Sequence, residues 1–83
     1  MDILKLATVI ALLAHPEPAV REEAFDELER RATRGTAETC AECARLAAEG
    51  KYLDAEIVRE AWDREFRAIH DAMVEACRAG ERR

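Results

Sequence analysis

The chain has 83 residues, 49% of them hydrophobic and 37% charged, with a formal net charge of −5. That balance describes one folded domain rather than a disordered chain, and the length leaves nothing for a second core. The acidic excess argues against nucleic acid as a partner, because such affinity comes from basic residues meeting phosphates.

The rest of the polar inventory excludes more. Serine, asparagine and glutamine are all absent, which removes serine nucleophiles and the amide-to-adenine contact of many DNA readers. Seventeen alanines account for much of the hydrophobic content, so the core is thin and the helices must approach closely. Small domains with thin cores often gain stability from a partner or a second copy. Arginine outnumbers lysine 11 to 2, which fits a natural chain from a GC-rich genome. Three cysteines, an odd number, fit a reducing, cytoplasmic compartment.

In chain order, the pattern predicts four helices and no strand. The first runs from about Asp2 to Ala14, apolar almost all round, as a central buried helix should be. Its apolar run is shorter than the roughly 20 residues that span a bilayer. Met1-Asp2 before it and His15-Pro16 after it do not resemble a secretory leader. No membrane contact is therefore expected. His15-Pro16-Glu17-Pro18 stops the helix.

A second helix is predicted from Pro18 to Arg34, with Val20, Ala24, Phe25, Leu28 and Ala32 on its buried face. Asp26 to Arg30 and Glu27 to Arg31 are acid-before-base pairs four residues apart. Gly35 reads as its stop. Thr36 reads as the N-cap of a third helix ending at Gly50, with Ala37, Cys40, Ala41, Ala44, Ala47 and Ala48 as its apolar stripe. A turn at Lys51-Tyr52-Leu53 and a cap at Asp54 open a fourth helix from Ala55 to Ala79. Val58, Trp62, Phe66, Ile69, Met73 and Ala76 mark its buried side. At 1.5 Å per residue the fourth helix is roughly 35 Å long and the third about 20 Å. Its second half must therefore pack on the first two helices or on another molecule.

Few residues suggest chemistry. Cys40-x-x-Cys43 sits inside a helix on its apolar side, whereas a redox pair places its first cysteine at a helix N-terminus. A zinc site would need Cys40, Cys43, His70 and Cys77. In a hairpin turning near Tyr52, Cys43 faces about Ala61 and Cys40 about Arg64, so the four do not converge. His70 and Cys77 lie about 10 Å apart along one helix, too far for proton transfer. No catalytic residue, metal or cofactor is expected.

The candidate contact residues are acidic and aromatic. Glu22, Glu23, Asp26 and Glu27 give the second helix a negative face that suits a basic partner, although most such faces are simply solvated. Trp62 and Phe66 are either core or the aromatic anchor of an interface, core being the commoner role. Arg30, Arg31, Arg34, Arg78, Arg82 and Arg83 form a possible basic patch.

Two segments resemble known families. Residues 12–24, Leu-Leu-Ala-His-Pro-Glu-Pro-Ala-Val-Arg-Glu-Glu-Ala, resemble the turn of a single HEAT repeat, with His15 where that family often has an acid. The resemblance implies a helical hairpin and a protein-binding habit. Residues 41–74, around Ala47-Ala48-Glu49-Gly50-Lys51-Tyr52-Leu53-Asp54, resemble the oligomerisation hairpin of phage small terminase subunits. That resemblance implies self-association; the basic recognition helix that family carries upstream is absent here.

The sequence thus predicts an all-α bundle of two helical hairpins, a non-catalytic adaptor or inhibitor of the kind that phages and mobile elements encode, that contacts another protein. The alternatives are a self-oligomerising DNA-packaging component and a thiol or zinc protein using Cys40 and Cys43.

Overall fold

In the computed structural model, which describes residues 3–81, the chain is all-helical with three helices rather than four. These are α1 (Leu6–Leu12), α2 (Pro18–Ala48) and α3 (Tyr52–Glu81). The molecule is 51 Å long: α2 and α3 form one long antiparallel hairpin, and α1 lies against one end of it. No described helix is long and apolar enough to cross a membrane.

The segment joining α1 to α2 is secured by side chains. His15 Nδ1 accepts the Glu17 N–H at 3.1 Å. The Arg21 guanidinium donates to the His15 and Pro16 carbonyls at 2.8 and 2.9 Å. One arginine in the first turns of α2 thus anchors a stretch in which two prolines offer no N–H of their own.

The predicted second and third helices are one helix. Gly35 does not end α2; it lies within it, and the Trp62 ring of α3 rests on its backbone. A Cβ placed on Gly35 would fall within 2.7 Å of three ring carbons. Thr36, expected as an N-cap, instead accepts the Trp62 Nε1–H at 3.2 Å on its Oγ1. The two residues that read as a break receive the tryptophan. Glycine lowers helix stability by only about 1 kcal/mol relative to alanine, which tertiary packing readily offsets.

Because α2 continues unbroken, its buried phase is inherited from Leu28 and runs through Ala32, Gly35, Thr39, Cys43 and Leu46. The stripe expected for a separate third helix is therefore wrong: Ala37, Cys40, Ala41, Ala44 and Ala48 face outward, and of that set Ala47 alone is partly buried. Leu46, placed at the flank by the sequence pattern, is the buried residue.

The α2–α3 turn matches a Schellman motif. Lys51 N–H bonds the Leu46 carbonyl at 2.9 Å, Gly50 N–H bonds Ala47 at 3.0 Å, and Gly50 adopts φ +77°. Helix α3 then begins at Tyr52, so Asp54 lies in its first turn rather than capping it. The earlier start moves the hairpin pivot, and Cys43 meets Ala55, to whose carbonyl its Sγ donates at 3.3 Å, instead of Ala61.

The core is Val9, Ala24, Leu28 and Ile69, with Leu4, Leu6, Ile10, Leu12, Leu13, Ala32, Trp62 and Met73 packed around it. It occupies the α1 end. Toward the Gly50 turn, Leu46 is the one buried apolar side chain among the described residues.

Candidate protein-binding face

Helical phase divides the hairpin into two broad sides. On α3, residues 72, 75 and 79 fall on one side, and 66, 70, 73 and 77 on the other. Helix α1 covers one end of the first, where Ile10 and Ala14 border a cleft with Ala72, Glu75 and Ala79, while toward the turn that side is open between Arg34 and Glu38 of α2 and Ala61 and Glu65 of α3. Among the described residues, no helix covers the second side. A groove there runs between Glu29, Ala32 and Thr33 of α2 and Phe66, Ile69, His70 and Met73 of α3. Nearer the turn, the same side presents Cys43, Ala47, Tyr52 and Arg59.

Phe66 is the prominent group in this groove. It is 40% exposed, although its apolar spacing predicts burial. Its ring meets Trp62 edge-on at 6.1 Å between centroids and stacks on His70 at 6.4 Å. These contacts, one turn in either direction along α3, hold an apolar ring at the surface. Trp62 has a different role: it packs against the core, its ring on Gly35 and its N–H on Thr36. The aromatic pair named together in the sequence therefore separates into a seam residue and a surface residue.

The acidic residues also separate. Glu22, Glu23 and Asp26 are exposed, as a contact surface requires. Glu27 is fully enclosed. Its carboxylate accepts from Arg31 Nε at 2.8 Å and from Arg30 Nε at 3.1 Å, so Arg30 turns to Glu27 rather than to Asp26. The Arg31 hydrogen bond, chiefly, holds the Glu27 carboxyl below the ordinary glutamate value, against the opposing effect of burial. Arg31 then donates through Nη2 to the Leu4 carbonyl at 2.6 Å. Glu27 thus leaves the candidate surface; it ties the segment before α1 to α2. Spacing identified the Glu27–Arg31 pair, but nothing in the sequence distinguished a buried glutamate from its exposed neighbours.

The predicted basic patch is similarly divided. Arg31 turns inward, Arg30 is half exposed, and Arg82 and Arg83 lie outside the described residues. Exposed charge nearer the turn is paired at the end of α2, where Arg45 bridges Glu42 and the C-cap residue Glu49. The Arg45 hydrogen bond lowers the Glu42 carboxyl pKa and raises that of the guanidinium.

The structure does not bring the candidate zinc ligands together. Cys40 and Cys77 are exposed and Cys43 is half-buried against Ala55. His70 lies beside Glu29 and Thr33, and Cys77 beside Phe25 and Asp26. Among the described residues, no three of His, Cys, Asp and Glu converge as a metal would need.

In comparisons with known proteins, no family model, no curated protein and no solved structure matches this chain.

Proposed function

We propose that the chain is a non-catalytic protein-binding module of adaptor or inhibitor type, and that its contact surface is the uncovered side of the α2–α3 hairpin. The observation that carries this reading is Phe66: a large apolar ring held 40% exposed in a groove that no described helix covers. Aromatic residues, phenylalanine among them, are enriched in the cores of protein interfaces. Glu22 and Asp26 continue the same side toward the α1 end as exposed carboxylates.

The test compares tagged wild-type chain with Phe66→Glu and with Leu53→Glu in extracts of the cells that produce the protein. Leu53 is 70% exposed at the start of α3 and does not line the groove. A partner retained by Leu53→Glu and lost with Phe66→Glu is the expected result. Identical capture by all three forms would defeat the reading.

A further inference from the structure

We infer that the occupant of this groove is a second copy of the chain, docked by a two-fold axis parallel to the hairpin so that α2 of each copy covers α3 of the other. The inference rests on the protein-binding reading above and names its partner.

The argument begins with side-chain size. From Ala32 toward the turn, the α2 edge of the uncovered side is built of small residues, Ala32, Thr33, Thr36, Cys40, Cys43 and Ala47, whereas Phe25 and Glu29 make it bulkier toward the α1 end. The α3 edge carries Tyr52, Arg59, Phe66, His70 and Met73. One edge is a trough and the other a ridge. Rotation about an axis along the hairpin exchanges left and right but keeps height. Residues at one height within a chain therefore meet at that height across the interface. Phe66 shares its height with Ala32 and Thr33, so it enters the partner's trough there. Tyr52 shares its height with Cys43 and Ala47 and does the same near the turn. A crosswise axis would instead stack ridge on ridge and leave trough facing trough, so that bulky side chains collide while voids open beside them.

Charge and area agree with the lengthwise axis. Glu29 and His70 share a height on opposite edges, so each meets the other's counterpart across the axis, acceptor to donor. All neighbouring helices of the resulting four-helix bundle run antiparallel, which suits their dipoles. A helix pair is about 20 Å across. Along the 51 Å molecule this side offers on the order of 1,000 Å², above the about 800 Å² per partner of a standard interface.

The first measurement is sedimentation equilibrium over about 1–500 μM, a range that brackets ordinary dimer affinities. The wild type is expected at twice the 9.4 kDa chain mass. Phe66→Glu should be monomeric with unchanged helical circular dichroism, and Leu53→Glu should remain dimeric. The second measurement fixes the orientation. With the native cysteines replaced by alanine, chains carrying Thr33→Cys are mixed with chains carrying His70→Cys and oxidised. A disulfide-linked dimer in the mixture, but not with Thr33→Cys alone, is expected. Linkage of Thr33→Cys to itself would overturn the lengthwise axis. A wild type that stays monomeric throughout would overturn the second copy as occupant. If a different protein were still captured in a Phe66-dependent way, the protein-binding reading would survive that failure; if none were, both would fall.

Discussion

At the scale of single residues, the decisive contacts are ones that oppose a local preference. Gly35 weakens the helix it belongs to, yet it alone allows the Trp62 ring to lie on the α2 backbone. Gly35→Ala should gain about 1 kcal/mol of helix propensity and lose about 1–3 kcal/mol through overpacking. The expected outcome is a net loss of stability in urea titration, accompanied by a changed Trp62 emission. Glu27 opposes the preference of carboxylates for water. Truncating one member of such an enclosed pair costs about 3–5 kcal/mol; Glu27→Gln keeps the shape and part of the hydrogen bonding and should cost less. Its pH dependence has a definite sign. The folded carboxyl titrates below its ordinary 4.5, so the stability it contributes is complete above that value and lost as pH falls through the lowered one. Titrating wild type and Glu27→Gln from about pH 7 to about pH 3 should therefore show their stability difference narrowing toward acid.

At the scale of elements, the other two glycines of the hairpin, Gly50 and Gly80, have different roles. Gly50 sits at φ +77° with nothing near its missing Cβ, so Gly50→Ala isolates backbone strain, about 1–2 kcal/mol. Gly80, in the last turns of α3, also has open space around it but no positive φ. Gly80→Ala should therefore be neutral or stabilising by up to about 1 kcal/mol. Thermal melts of the two variants check the contrast. A Gly50→Ala variant as stable as Gly80→Ala would contradict a left-handed Gly50. Helix α1, seven residues long, is too short to persist alone. It is held by Val9 and its neighbours in the core, by the Arg21 bonds at its exit and by the Arg31 bond to Leu4 at its entry.

At the scale of the whole molecule, stability is concentrated at one end. Val9, Ala24, Leu28 and Ile69 are enclosed where three helices meet, while beyond Trp62 two helices face each other around Leu46. Leu28→Ala should cost toward the top of the 2–5 kcal/mol range for buried leucines. Leu46→Ala should cost toward the bottom, because its site can collapse or admit water. Native-state hydrogen exchange should give larger opening free energies for amides near Leu28 and Ile69 than near Leu46 and Val58. Docking of a second copy in the Phe66 groove would raise protection along the distal half with rising concentration, which ties the uneven core to the proposed partner.

Much of this architecture is legible in the residues themselves. The all-α class, the Pro16–Pro18 break, the Gly50 turn and the burial of Ala24, Leu28 and Ile69 follow from periodicity, proline geometry and the φ freedom of glycine, all local properties. The Gly35 break, the phase of the alanines after it and the hairpin register were decided by tertiary structure. A glycine followed by a threonine has the same local signature whether it ends a helix or admits a ring from a distant one, and Trp62 lies 27 positions away in the chain. The candidate site divides in the same way. Acidity and aromatic spacing brought Glu22, Asp26 and Phe66 forward from the sequence, but they could not separate enclosed Glu27 from its neighbours or seam-bound Trp62 from exposed Phe66. Burial is set by which elements approach, and a chain of amphipathic helices acquires that only when its faces pair.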